Sequence, residues 1–162
     1  MDAAYWAAQG GTLIEQGTVT SYEYKIIELS GFRYNDTKVI GPINLETRLQ
    51  LYSRTLPHMV SGQYFGILDN TAGFENDFSF DAIKQVDHLL LDQGVTHYCG
   101  ATITNDVGYS KLIKLAQTYM ETIGLNGALI RVPNYEDAKA FVLEKIAAAA
   151  TARDAQPLHN PH

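Results

Sequence analysis

Short apolar runs alternate with helical stretches along most of this chain, and few architectures accommodate that order. YFGILD (64–69), VTHYCGATIT (95–104) and ALIRV (128–132) are brief, bounded by turn signals and suited to buried strands. Each is followed by apolar residues at helical spacing. Asn44 is placed to cap a first helix, with Glu46 in its first turn, a stripe of Leu45, Leu49, Tyr52 and Leu56, and Pro57 as its stop. Phe80, Ile83, Val86 and Leu90 form a second helical face, closed by Gly94. A third carries Leu112, Leu115, Ala116, Tyr119 and Ile123 and closes at Gly124; a fourth starts at Asn134 and buries Ala138, Phe141, Val142 and Ile146.

Residues 12–33 are rich in Thr, Val, Ile and Tyr and read as extended structure. Gln16-Gly17 and Tyr34-Asn35-Asp36 are the expected turns, with TKVIGPI as the returning strand of a hairpin. The order hairpin, α, β, α, β, α, β, α predicts a single α/β domain: a mixed sheet, N-terminal hairpin plus parallel βα units, with helices packed on it. Right-handed crossovers follow from strand twist. The expected division is an N-terminal arm over 1–11, with a helical turn or two in 2–9, the domain over 12–150, and a disordered tail over 151–162.

At 162 residues the chain buries enough surface, roughly 70% of that of the unfolded chain, to need no disulfide, and its single Cys99 forms none internally. Cys99 reads as a small buried apolar residue. The net charge of −6 argues against nucleic acid, whose phosphates require clustered Lys and Arg. No apolar run is long enough to insert in a membrane. A reducing cytoplasm is the expected location.

Catalytic motifs are absent: there is no Walker A sequence, no GxGxxG and no HExxH. Gly108-Tyr109-Ser110 begins like a nucleophile elbow, but Leu112 stands where its second glycine belongs. His97 and Cys99 share a strand face, and two ligands do not make a metal site. The expectation is a protein without cofactor or metal and without a catalytic constellation.

Geometry then points to the carboxyl ends of the parallel strands, where open α/β sheets bind ligands and partners. That edge gathers Asp69 and Asn70, then Ser79, then Thr104 and Asn105, with Asn44 beside them. Phe74 and Phe78 in the intervening loop are candidates for an exposed apolar contact, whereas Phe80 is assigned to the core. Ser79 has two readings, a cap for the second helix or a phosphorylatable hydroxyl.

The strand KIIELSGF, the GPINLE turn into the first helix, YFGILDN, ATITND and VPNYEDAKAFV together resemble the STAS domain class, whose type members are SpoIIAA-like anti-sigma-factor antagonists. The resemblance spans roughly residues 20–146 and implies a mixed sheet with packed helices, no cofactor, and regulation through contact with another protein. Phosphorylated members carry a D-S-S-G-like sequence at the second helix; here it reads Asp77-Phe78-Ser79-Phe80, with Phe78 at the modified position. The function implied is a non-enzymatic regulatory or protein-interaction module. The alternative is a small-ligand or acyl-lipid binding protein of SpoIIAA-like or Sec14-like shape, suggested by ten Tyr and six Phe. Exposed edges on the hairpin side make a homodimer a further expectation.

Overall fold

A computed structural model describes residues 11–156. Its six strands lie in chain order: β1 (Thr12–Val19), β2 (Tyr22–Leu29), β3 (Phe32–Val39), β4 (Gln63–Asp69), β5 (His97–Ile103) and β6 (Asn126–Val132). The first three pair antiparallel; β3 through β6 pair parallel. Four helices connect or follow the parallel strands: α1 (Leu45–Thr55), α2 (Phe80–Asp92), α3 (Tyr109–Thr122) and α4 (Tyr135–Asp154).

The expected mixed α/β sheet is present, but its antiparallel part is a three-stranded meander rather than one hairpin. Both anticipated turns are in fact strand interior. Gly17 sits within β1 because the Tyr24 ring of β2 lies across it: a Cβ there would come 3.0 Å from Tyr24 Oη. Asn35 sits within β3 because its amide is consumed by buried hydrogen bonds, to Tyr64 Oη at 2.9 Å and the Phe65 carbonyl at 3.2 Å. The chain turns instead at Thr20-Ser21 and Ser30-Gly31, with Thr20, Ser30 and Gly31 at φ of 44°, 54° and 81°. Two consecutive left-handed residues match the twist of a two-residue hairpin.

Side-chain alternation divides the core between the two faces of the sheet. Phe65, Ile67, Cys99, Ala101 and Ile103 pack with Ala138, Val142 and Ile146 of α4 on one face. Tyr64 and Tyr98 pack with Tyr52 of α1, Val86 and Leu90 of α2 and Met120 of α3 on the other. Three crossovers of one hand place α1, α2 and α3 together and leave α4 to cover the opposite face alone. Each fully buried large side chain, such as Leu90 or Ile146, contributes about 1.5–3 kcal/mol of transfer free energy.

The helix starts follow local chemistry. Asn44 Oδ1 accepts from the Thr47 N–H at 2.9 Å while Thr47 Oγ1 accepts from the Asn44 N–H at 3.0 Å, a reciprocal capping box. Ser79 Oγ accepts from the Ala82 N–H at 3.1 Å, and Asn134 Oδ1 from the Asp137 N–H at 2.8 Å.

Three expected core residues face outward. Leu49 is 38% exposed because α1 turns Leu51, Tyr52 and Thr55 inward, with Leu51 in a cluster with Tyr22, Val39 and Leu68 of the antiparallel side. Leu115 is 52% exposed, since α3 lies along β6 and buries only the stripe of Ala116 and Met120. Phe80 is 39% exposed, edge-on to Tyr119 at 5.8 Å on the surface between α2 and α3. The last helix continues to Asp154, past residue 151 where a tail was expected. The expected turns in 2–9 and the final residues 157–162 lie outside the described residues.

Candidate functional site

A cavity lies beneath α1, α2 and α3, with two sheet glycines in its lining. Gly66 of β4 lies opposite Gly100 of β5, and the same cross-sheet row continues to Asn35 on β3 and Leu129 on β6. Tyr64 and Tyr98 face the three helices, so Gly66 and Gly100, two residues further along each strand, face them too. Glycine in a strand interior marks a place where something other than a side chain is accommodated. A Cβ on Gly100 would meet Tyr98 Cε1 at 3.0 Å and Leu129 Cδ2 at 3.4 Å. The cavity they help to line is about 90 Å³.

Its walls are mainly apolar or aromatic, including Ile83, Val86, Met120 and Leu129, with Phe78 beside them. Tyr64 and Tyr98 stack at 4.8 Å, nearly parallel at 6°. Their hydroxyls are engaged differently. Tyr64 Oη accepts from Asn35 Nδ2 and is 2.9 Å from Thr55 Oγ1; Thr37 Oγ1 donates to Asn35 Oδ1 at 2.9 Å. Tyr98 Oη is 2.8 Å from Tyr52 Oη. Burial raises the pKa of Tyr52, Tyr64 and Tyr98, so all three are neutral hydroxyls at physiological pH.

Arg48 on α1 supplies the positive charge. Its Nη2 donates to Tyr52 Oη at 2.7 Å and reaches Tyr98 Oη at 3.5 Å. Its guanidinium carbon stands 5.0 Å from the Tyr52 ring centroid and 5.8 Å from that of Phe78. No carboxylate among the described residues pairs with it. Across the lining, Asp87 of α2 is buried at 1% exposure and its Oδ2 has no hydrogen-bond partner. Burial pushes this carboxyl up to about 7. The lining therefore holds one half-buried cation and one buried acid that do not neutralise each other.

The strand-end residues anticipated from sequence are divided by the fold. Asn70, Phe74, Thr104 and Asn105 line one depression at the carboxyl ends of β4 and β5. Asn70 builds its wall, donating from Nδ2 to the Phe74 carbonyl at 2.9 Å and accepting at Oδ1 from the Phe74 N–H at 3.0 Å. Asp69 lines a different depression, with Lys38, Asp36 and Tyr135. Phe78 is half-buried and lines the cavity, while Ser79 and Asn44 cap helices. Thr102 and Tyr109 line both the cavity and the first depression, which thus share a wall. Cys99 lies on the α4 face, buried, its thiol pushed up to about 12 by desolvation.

Arg48, Tyr52, Asp87 and the Gly66/Gly100 pair were not singled out as site residues from sequence. The signal was a glycine at the centre of two successive core strands, YFGILD and HYCGATI. Among the described residues no group of three His, Cys, Asp or Glu could hold a metal, and no helix is long and apolar enough to cross a membrane.

No family model and no curated protein matches the chain. A solved structure does: an uncharacterized protein of the DUF3478 family, described as having a SpoIIAA-like fold, from Shewanella loihica. It aligns with a TM-score of 0.51 over 80% of this chain and 96% of that one, at 17% identity.

Proposed function

From a SpoIIAA-like fold, we propose that this protein is a non-enzymatic binding module that takes a small molecule into the cavity between its sheet and α1, α2 and α3. The observation that carries this reading is Arg48, a guanidinium held against tyrosine hydroxyls at the wall of an apolar cavity with no acidic partner among the described residues. Within the protein that charge meets only hydroxyls and ring faces, so a ligand carboxylate would be its first opposite charge. The lining contains no serine, cysteine or histidine, and Tyr52, Tyr64 and Tyr98 are held neutral, which favours binding over acyl or group transfer. Native mass spectrometry of protein purified gently from its host, with a thermal-shift panel of small carboxylic acids and neutral apolar compounds, tests the reading. A bound mass, or stabilisation of several degrees at saturating ligand, is expected. Only bare protein and no shift across the panel would overturn it.

A second reading, contact with another protein, is favoured by Phe74, within the loop between β4 and α2, and Phe80, at the start of α2, exposed at 38% and 39%. The depression beside Phe74 shares a wall with the cavity, so a partner seated there would be placed to sense an occupied site. Regulation by protein contact, a homodimer among its forms, is compatible with this surface. A partner captured by wild type and equally by the Phe74→Ser/Phe80→Ser double variant would contradict it.

A further inference from the structure

The chemistry of the occupant follows from the two groups on the cavity wall that the protein leaves unmatched. Arg48 is the single cation among the described residues that line the space. One guanidinium balances one negative charge, and its planar fork matches a carboxylate. A dianionic phosphate would leave a second charge among aromatic rings and neutral hydroxyls, where nothing compensates it.

Asp87 is the second group. It is 1% exposed, lines the same cavity, and has an Oδ2 without a partner. Buried acceptors are paired in nearly all native structures, so an orphan on a cavity-lining residue points to something that reaches it. A ligand hydroxyl suits this atom in either protonation state: it donates to a carboxylate and accepts from a carboxylic acid. An ammonium suits only the ionised form, and a methyl group neither. The volume, about 90 Å³, is several times the ~10–15 Å³ that holds one water. It admits a short body of a few heavy atoms against Met120, Leu129 and the stacked tyrosines.

We propose that the cavity binds a short-chain hydroxy acid, its carboxylate on Arg48 and its hydroxyl on Asp87. The assignment rests on the ligand-binding reading above and goes further, since that reading requires neither group to touch the ligand.

The test is calorimetric titration of the full chain with ω-hydroxy acids from propionate to hexanoate and with the matching plain acids. At the best length the hydroxy acid binds ~10-fold or more tighter than the plain acid, the value of one hydrogen bond to a buried polar group. Asp87→Leu and Asp87→Ala abolish this preference and retain plain-acid binding. Asp87→Asn, of the same shape, retains the preference and serves if the apolar variants fail to fold. Arg48→Met weakens both series ~10²-fold, with its fold checked by circular dichroism. Equal binding of the two series by wild type, or a preference that survives Asp87→Leu, overturns the proposal while the ligand-binding reading stands. Binding of neutral alcohols but no acids also overturns it and spares that reading. No binding of any of these, with no bound mass on native protein, overturns both.

Discussion

Arg48 and Tyr52 stand one turn apart on the first helix, and the guanidinium Nη2 donates to the phenol oxygen at 2.7 Å. The tyrosine in turn meets Tyr98 of the sheet at 2.8 Å. This chain of contacts fixes a positive charge at the wall of the cavity that Gly66 and Gly100 also line.

Filling the floor should close the site. Gly100→Val places branched carbons against Tyr98 and Leu129, where even a Cβ is tight. The protein should keep its fold with a loss of about 1–3 kcal/mol from overpacking, and ligand-induced stabilisation should disappear. Gly124→Val is the control: nothing lies within 4 Å of its Cβ position, although its φ of +84° strains any side chain. It should lose stability yet still respond to ligand. Denaturant unfolding with and without ligand separates the two.

Asp87 should make stability depend on pH in an unusual direction. Its carboxyl is raised from 3.8 to about 7 by burial. Between those values the folded state holds a proton that the unfolded state has lost, so the contribution of this group falls as pH rises from about 4 to about 7. Asp87→Leu removes the term. Relative to wild type, the variant should therefore gain stability progressively across that interval and be most favoured near pH 8, by about 1–3 kcal/mol, the cost of an unsatisfied buried polar atom. Urea midpoints at a series of pH values measure this; a difference that does not change with pH would contradict it.

Asn44→Ala should cost about 1 kcal/mol, because the capping box at the start of α1 loses one bond directly and the geometry of the other. The same helix carries Arg48, so ligand affinity should weaken along with helix stability. Thermal unfolding and titration of one sample report both.

The aromatic residues around the β4–α2 loop should respond differently to truncation. Phe74→Ala at an exposed position should change stability by less than about 0.5 kcal/mol. Phe78 packs against the cluster of Tyr52, Tyr64 and Leu90 and stands beside Arg48. Phe78→Ala should cost about 1–3 kcal/mol and loosen ligand retention. Calorimetric melting distinguishes them.

The architecture was legible because its signals are local. Asn44 and Asn134 announce helix starts through their own side chains, and the three parallel strands are short apolar runs between turn residues. The antiparallel turns were misplaced because Gly17 and Asn35 carry turn-like chemistry for tertiary reasons, a ring lying across one and a buried hydrogen-bond network consuming the other. Thr20 and Ser30, neither a preferred left-handed residue, turn the chain instead.

The cavity was less legible for a related reason. Four of the strand-end residues expected to act together, Asn70, Phe74, Thr104 and Asn105, do share a depression, since the carboxyl ends of parallel strands converge by topology. Asp69 departs because its side chain follows the odd-numbered, α4-facing set of β4. Arg48 and Asp87 fall on helix faces that the sequence marks as apolar, Arg48 between Leu45 and Tyr52 and Asp87 between Ile83 and Leu90, but a single charge on such a face does not say what it meets. Only the pairing of Gly66 with Gly100 shows that a gap lies beneath the helices that carry them.

The most direct test is a crystal structure of the full chain grown with the tightest-binding hydroxy acid. The account predicts density inside the cavity, with carboxylate oxygens about 2.7–3.0 Å from Arg48 guanidinium nitrogens and the hydroxyl within hydrogen-bond reach of Asp87. A cavity without ligand density while the acid occupies the outer surface, or a ligand seated with its carboxylate away from Arg48, would contradict it.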